Sequence, residues 1–208
     1  MNRETAESYI IYGTKSSLFS KNMVFTFLPF NIALSSIAVV LFYESWFVNL
    51  VLITVVINMV SSLLFKHKWS TFVGLLSQGS QLFFTVIALD FVYLGMYKVS
   101  NLFIWHEYLV SISLQILMFI LSIYLVLNLA RKQNQEKRPV SNTVSSSVAG
   151  LSFMIATIFA KIFMTDVSLS IVITVLGVLI NLMIYLLSYV IVSAYYRAYL
   201  TRKFNLSN

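Results

Sequence analysis

Thr71–Tyr97 reads TFVGLLSQGSQLFFTVIALDFVYLGMY. A bilayer core takes about 20 mostly apolar residues per helix, so this stretch is long enough to cross one. It carries one charged side chain, Asp90. Its polar residues do not share a face. Gln81 and Asp90 are nine residues apart, and at about 100° per residue they point to opposite sides of a helix. Asp90 shares its side with Gly79, Phe83 and Val86. A spanning helix that is polar on two sides is poorly placed at a lipid edge, so this segment is expected at the centre of a helical bundle.

The rest of the chain fits that setting. Of its 208 residues, 59% are hydrophobic and 10% charged, with mean hydropathy +0.87. A soluble domain carries about 25% charged residues. Too few charges remain to make a water-facing surface, so the solvent is expected to be lipid. The fold class expected is all-α, a polytopic bundle of six transmembrane helices over about residues 22–42, 46–65, 71–97, 108–130, 148–167 and 168–195. The turns between the first two and the last two spans are short, which makes each pair a tight antiparallel hairpin. Residues 1–21 lack the long apolar core of a secretory signal and precede a span directly. They read either as an interfacial piece on the membrane or as an exposed segment. Residues 197–208 form a basic tail.

Lysine and arginine give the orientation. The N-terminal segment holds Arg3, Lys15 and Lys21, the second loop Lys66 and Lys68, the fourth Arg131, Lys132, Lys137 and Arg138, and the tail Arg197, Arg202 and Lys203. The alternate side holds only Lys98 and Lys161. Twelve against two puts both termini in the cytoplasm by the positive-inside rule. This asymmetry also accounts for the net charge of +7, so no nucleic-acid partner is expected. The longest loop, 131–147, separates two groups of three helices.

Nearly every span carries a side-chain amide: Asn31, Asn58, Gln78 with Gln81, Gln115, and Asn181. Each has small or hydroxyl neighbours at helical spacing. Asn31 aligns with Ser35 and Ala38, Asn58 with Thr54 and Ser61, Gln115 with Ser111 and Ser122, and Asn181 with Gly177 and Ser188. The fifth span has no amide but a ladder of Ser152, Ala156 and Ala160, which lets helix backbones approach closely. The amides read as interhelical glue, each worth roughly 0.6–2 kcal/mol, or as the lining of a polar path. One amide per helix favours glue.

Asp90 and Lys161 are the two charges placed inside the hydrocarbon, at similar depth near the outer leaflet. An isolated charge at mid-membrane costs about 2.5–3.5 kcal/mol on insertion scales. They form an intramembrane ion pair, or each reaches outer water separately, Lys161 by snorkelling toward Asp166.

Motifs for chemistry are missing. There is no cysteine, and the two histidines, His67 and His106, lie far apart, so no cofactor or metal is expected. No P-loop or HExxH occurs, and GLLSQGSQ (Gly74–Gln81) lies inside a helix with no histidine base. An enzyme is not expected. The reading that remains is a small bacterial plasma-membrane protein acting by protein–protein contacts, such as an immunity protein against a membrane-targeting toxin or a secretion-system accessory protein. Its partners are then the bilayer and a toxin or another membrane protein, with a homo-oligomer left open. The alternative is a small transporter, or a transporter's substrate-binding membrane subunit. In size and helix number the chain resembles the substrate-binding subunits of energy-coupling-factor vitamin transporters, in architecture alone. Against it, Pro29 is the one proline in a span, where transporters use helices broken by Gly and Pro.

Overall fold

The computed structural model describes residues 3–14, 21–67, 70–99, 105–136 and 169–206. They form six helices: α1 (Arg3–Thr14), α2 (Lys21–Leu41), α3 (Ser45–His67), α4 (Thr71–Val99), α5 (Trp105–Glu136) and α6 (Leu169–Lys203). No strand occurs among the described residues. Four helices carry stretches long and apolar enough to span a membrane: Ser45–Phe65, Thr71–Met96, Leu109–Arg131 and Val175–Lys203. Phe27–Leu41 of α2 is a shorter apolar helix. The chain is an all-helical, multi-pass membrane protein. The segment expected as a fifth span, 148–167, lies outside the described residues, and so do Lys161 and the Ser152, Ala156, Ala160 ladder.

Helix ends follow from local chemistry. The Ser70 hydroxyl accepts a bond from the Val73 amide at 3.2 Å and caps the start of α4. The α2–α3 turn takes only Phe42–Glu44, with the Glu44 amide donating to the Phe42 carbonyl and the Val48 amide to Glu44. The end of α6 is a Schellman motif. Asn205 adopts φ 50°, a left-handed conformation that asparagine tolerates better than most residues. The Leu206 amide then reaches the Thr201 carbonyl and the Asn205 amide the Arg202 carbonyl. Leu206 folds back onto the apolar cluster that contains Leu200, the apolar contact that commonly accompanies this cap.

Burial separates the helices. Within the membrane stretch, 56% of α4 is buried, against 22% for α3 and for α5 and 33% for α6. The outer faces of α3 and α5 expose Leu63, Leu64, Leu117 and Ile120 by more than half. Such continuous apolar faces are untenable in water and ordinary in lipid. Lipid tails are as apolar as leucine, so helices attract one another through close packing and polar contacts rather than water exclusion. Close packing is what the glycines of α4 permit. A Cβ at Gly95 would lie 2.8 Å from the Leu41 Cβ of α2, and one at Gly79 would lie 3.1 Å from the Tyr195 ring of α6.

Contacts along α4 fix helix directions. Asn31 and Ala38 of α2 meet Gln81 and Gly95 in ascending order, so α2 runs parallel to α4. Phe47 and Asn58 of α3 meet Phe91 and Gln81 in descending order, so α3 is antiparallel. Tyr195 of α6 meets Ser80, and Asn181 is joined through Gln115 to Asp90, so α6 is antiparallel too. Only residues 100–104 link α4 to α5, too few to recross the bundle, so α5 is likewise antiparallel to α4. Hence α5 and α6 run in the same direction. In keeping with this, Arg131 near the end of α5 acts electrostatically on Tyr196 near the end of α6.

The amino-terminal helix is part of the bundle. Ala6, Tyr9 and Ile10 of α1 pack on Leu75 of α4 and on Ala198 and Leu200 of α6. The Tyr9 hydroxyl lies 3.4 Å from the Ser193 hydroxyl, and the Arg197 guanidinium sits 4.9 Å from the Tyr9 ring centre. The sequence left this segment between an interfacial piece and an exposed one. It is a helix docked at the end of the bundle where α4 begins.

Candidate functional site: two polar networks on the central helix

α4 presents two polar networks, one on each side. The first joins α2, α3 and α4. Gln81 donates from Nε2 to Asn58 Oδ1 at 2.9 Å and to Ser62 Oγ at 2.8 Å. Ser62 Oγ also bonds the Asn58 carbonyl at 2.6 Å. Across α2, Asn31 Nδ2 donates to the Gln81 carbonyl at 3.3 Å, and Thr85 donates to Asn31 Oδ1 at 2.8 Å. Asn31, Asn58, Ser62, Gln81 and Thr85 are all buried. Each bond replaces one that water would supply elsewhere, and inside a bilayer an unmet backbone or amide group costs several kcal/mol.

The second network joins α4, α5 and α6. Gln115 Nε2 donates to Asp90 Oδ1 at 2.9 Å and to Asn181 Oδ1 at 3.1 Å. Asn181 Oδ1 also accepts from Ser111 at 2.8 Å, and its Nδ2 donates to the Gly177 carbonyl at 3.0 Å. The two amide hydrogens of Gln115 are thereby spent on Asp90 and Asn181. Asp90 is half-buried, and it lies six residues, about 9 Å, before the Met96 end of the membrane stretch.

Of the amides singled out in the sequence, Asn31, Asn58 and Gln81 meet in the first network, and Gln115 and Asn181 in the second. Gln78 is half-buried, and its Oε1 is buried with no hydrogen-bond partner among the described residues. Sequence spacing aligned Asn58 with Thr54 and Ser61. Both hydroxyls bond carbonyls of α3 itself, Thr54 that of Leu50 and Ser61 those of Ile57 and Asn58. Of the hydroxyls that bridge helices in the two networks, Ser111 stood in the stripe of Gln115, whereas Ser62 and Thr85 were missed. The available signal was spacing: Thr85 stands one turn from Gln81, and Ser62 one turn from Asn58.

A third cluster sits at the Lys98 end of α4. The Glu44 carboxylate accepts from the Trp46 indole at 2.7 Å and pairs with Lys98 at 3.3 Å. Lys98 also lies over the Phe42 ring, which stacks on Phe47. The bond from Trp46, and then Lys98, hold the Glu44 carboxyl below its ordinary value. Trp46 and Tyr43 are exposed here, the placement of an aromatic belt at a membrane–water boundary.

Among the described residues no group of three or more His, Cys, Asp or Glu is placed to hold a metal ion. Comparison with protein-family models, with curated proteins and with solved structures finds no match.

Proposed function

We propose that this is a six-span bacterial plasma-membrane protein with both termini in the cytoplasm, and that it works by contact with another protein rather than by catalysis. An immunity protein against a membrane-targeting toxin, or a secretion-system accessory protein, fits this description. The observation that carries the reading is how the amides are used. Asn31, Asn58, Gln81, Gln115 and Asn181 hold neighbouring helices to α4 or to one another. Side chains committed to one another are poor ligands for a passing solute. What the helices offer outward is the broad apolar face of α3 and of α5.

The span count draws support from the helix directions. The end of α5 and the start of α6 lie at opposite ends of the bundle, and a further crossing between them, over about 148–167, reconciles the two. Orientation rests on the twelve basic residues on one side. Because the chain lacks cysteine, single cysteines report topology cleanly. A cysteine placed in the loop 131–147 should resist a membrane-impermeant maleimide in intact cells and react after lysis. Labelling from outside contradicts the orientation.

The second reading, a small transporter or transporter subunit, draws on one feature. Asp90 is a carboxylate in a spanning stretch with a neutral amide donor, and intramembrane carboxylates commonly mark ion or proton routes. The two readings separate in one experiment. Cells expressing the chain are challenged with a membrane-targeting toxin encoded beside its gene, and proteoliposomes holding it are assayed for solute flux. Protection that survives Asn58→Leu and Gln81→Leu in folded protein supports the contact reading. Flux that is abolished by Asn31→Leu, Gln81→Leu or Asp90→Asn rejects it.

A further inference from the structure

Three oxygens near the start of α4 have no hydrogen-bond partner among the described residues although their surroundings are closed: Ser77 Oγ, Gln78 Oε1 and Gln81 Oε1. Ser77 and Gln81 are buried to within 1% of completeness. The residues lie at positions 77, 78 and 81, an arc of about 100° on one helix within roughly one turn. They begin about 9 Å from the Thr71 end of the membrane stretch, deep enough that bulk water does not solve their problem.

Ser77 differs from several hydroxyls of the spans. Thr54, Ser61, Ser113 and Ser188 each donate to the carbonyl one turn back, the usual resting place of such a group in a helix. Ser77 makes no such bond. Gln81 is also committed on one side. Its Nε2 faces Asn58 Oδ1 and Ser62 Oγ of α3. In this arrangement its Oε1 is left without a partner among the described residues.

The set contains one hydroxyl able to donate and two amide oxygens that only accept. We propose that Ser77, Gln78 and Gln81 form a binding site for one internal water molecule. Water matches this inventory. A lone pair takes the Ser77 proton, and two O–H groups serve Gln78 Oε1 and Gln81 Oε1. Buried waters typically make about three such bonds. A sodium or potassium ion would use only the oxygen lone pairs and leave the Ser77 proton to another acceptor, and an ammonium ion lacks a lone pair to take it, whereas water meets all three groups at once. The site adjoins the Asn58–Gln81 bond, so the water extends the first network by one step toward the end of the bundle where α1 docks.

The test is water-to-protein magnetisation transfer by solid-state NMR on the full chain in proteoliposomes, with labelled glutamine. In the wild-type protein, transfer to the Gln78 and Gln81 side chains should build up at least about threefold faster than to the buried Ala88 methyl. Ser77→Val, which fills the site, should reduce that transfer at least about threefold, and Ser77→Ala serves if the valine variant does not fold. Wild-type transfer no faster than at Ala88 overturns the proposal, as does transfer unchanged in a folded Ser77 variant. Spectra in sodium, potassium and choline chloride should coincide at the Gln81 Cδ. A saturating displacement with sodium or potassium alone overturns the assignment to water and makes this a cation site.

Discussion

The two sides of α4 solve the same problem in different ways. Toward α2 and α3, every group in the network is neutral and Asn31, Asn58, Ser62, Gln81 and Thr85 are buried. Toward α5 and α6, the network contains a carboxylate, and Asp90 and Asn181 are half-buried. A neutral, sealed network acts as a fastener. Nothing in it changes charge, and it is lost only when helices separate. A network built on Asp90 is conditional, since its hydrogen bonds depend on whether the carboxyl is ionised or protonated. On this comparison the first side is committed to stability, and any ion- or pH-linked behaviour belongs to the second.

The largest effect is expected where the first side is packed most closely. Gly95→Val sets a branched side chain against the Leu41 Cβ and the Ala38 carbonyl of α2, with the first added carbon already at 2.8 Å. Overpacking of this kind costs about 1–3 kcal/mol, and unfolding in mixed micelles with rising SDS should report a loss near the top of that range. Unchanged stability would mean that α2 and α4 do not approach so closely.

Next comes Gln81→Leu. It deletes the bonds to Asn58 and Ser62 and leaves the buried Asn58 Oδ1 short of a donor. Interhelical polar contacts are worth about 0.6–2 kcal/mol in membranes, and the same SDS titration should find a loss in that range. Asp90→Asn should be milder. The amide keeps an oxygen to accept from Gln115 and removes a charge from a spanning stretch, so the midpoint should stay within about 0.5 kcal/mol or rise. A loss above about 2 kcal/mol would show that the negative charge itself holds the second side together.

The smallest effect belongs to Glu44, in the turn outside the spans. Its carboxyl is held below the ordinary value by Trp46 and Lys98. A lowered carboxyl contributes stability that is present above its unfolded value of about 4.3 and fades as pH falls through the lower folded one. With Trp69 and Trp105 replaced by phenylalanine, Trp46 fluorescence should titrate below the usual glutamate range. Lys98→Ala should move the midpoint upward, and Glu44→Gln should abolish the transition. A midpoint unaffected by Lys98→Ala would mean that the ion pair is not maintained in solution.

Much of the frame was legible in the sequence, and the reasons are specific. Gln81 and Asp90 lie on opposite sides of one apolar helix because helical geometry leaves no choice, and α4 is the most buried of the four spanning stretches. The identity of the amides was equally plain. Their partners were not, because a face defined by helical spacing does not say which helix it meets. Ser62 stands beside Ser61, and both lie three or four residues from Asn58. Only the packing of α3 on α4 decides that Ser62 reaches Gln81. Matching by depth set Asp90 level with Lys161, which lies outside the described residues. Depth along the bundle says nothing about which helices are neighbours, so Gln115 was not singled out as the donor to Asp90. The docking of α1 was illegible for another reason. Its buried apolar residues among those described are Ala6, Tyr9 and Ile10, a single turn of pattern and too short to make a periodic signal.

The central claim is that the amides on α4 fasten helices together, and a double-mutant cycle on Asn58 and Gln81 tests it most directly. Asn58→Leu, Gln81→Leu and the double variant are unfolded by SDS in mixed micelles alongside the wild type. The losses of the two single variants should exceed that of the double by about 0.5–1.7 kcal/mol, the coupling of a direct interhelical bond. Losses that add within about 0.3 kcal/mol would contradict the claim and return these amides to the role of lining a path.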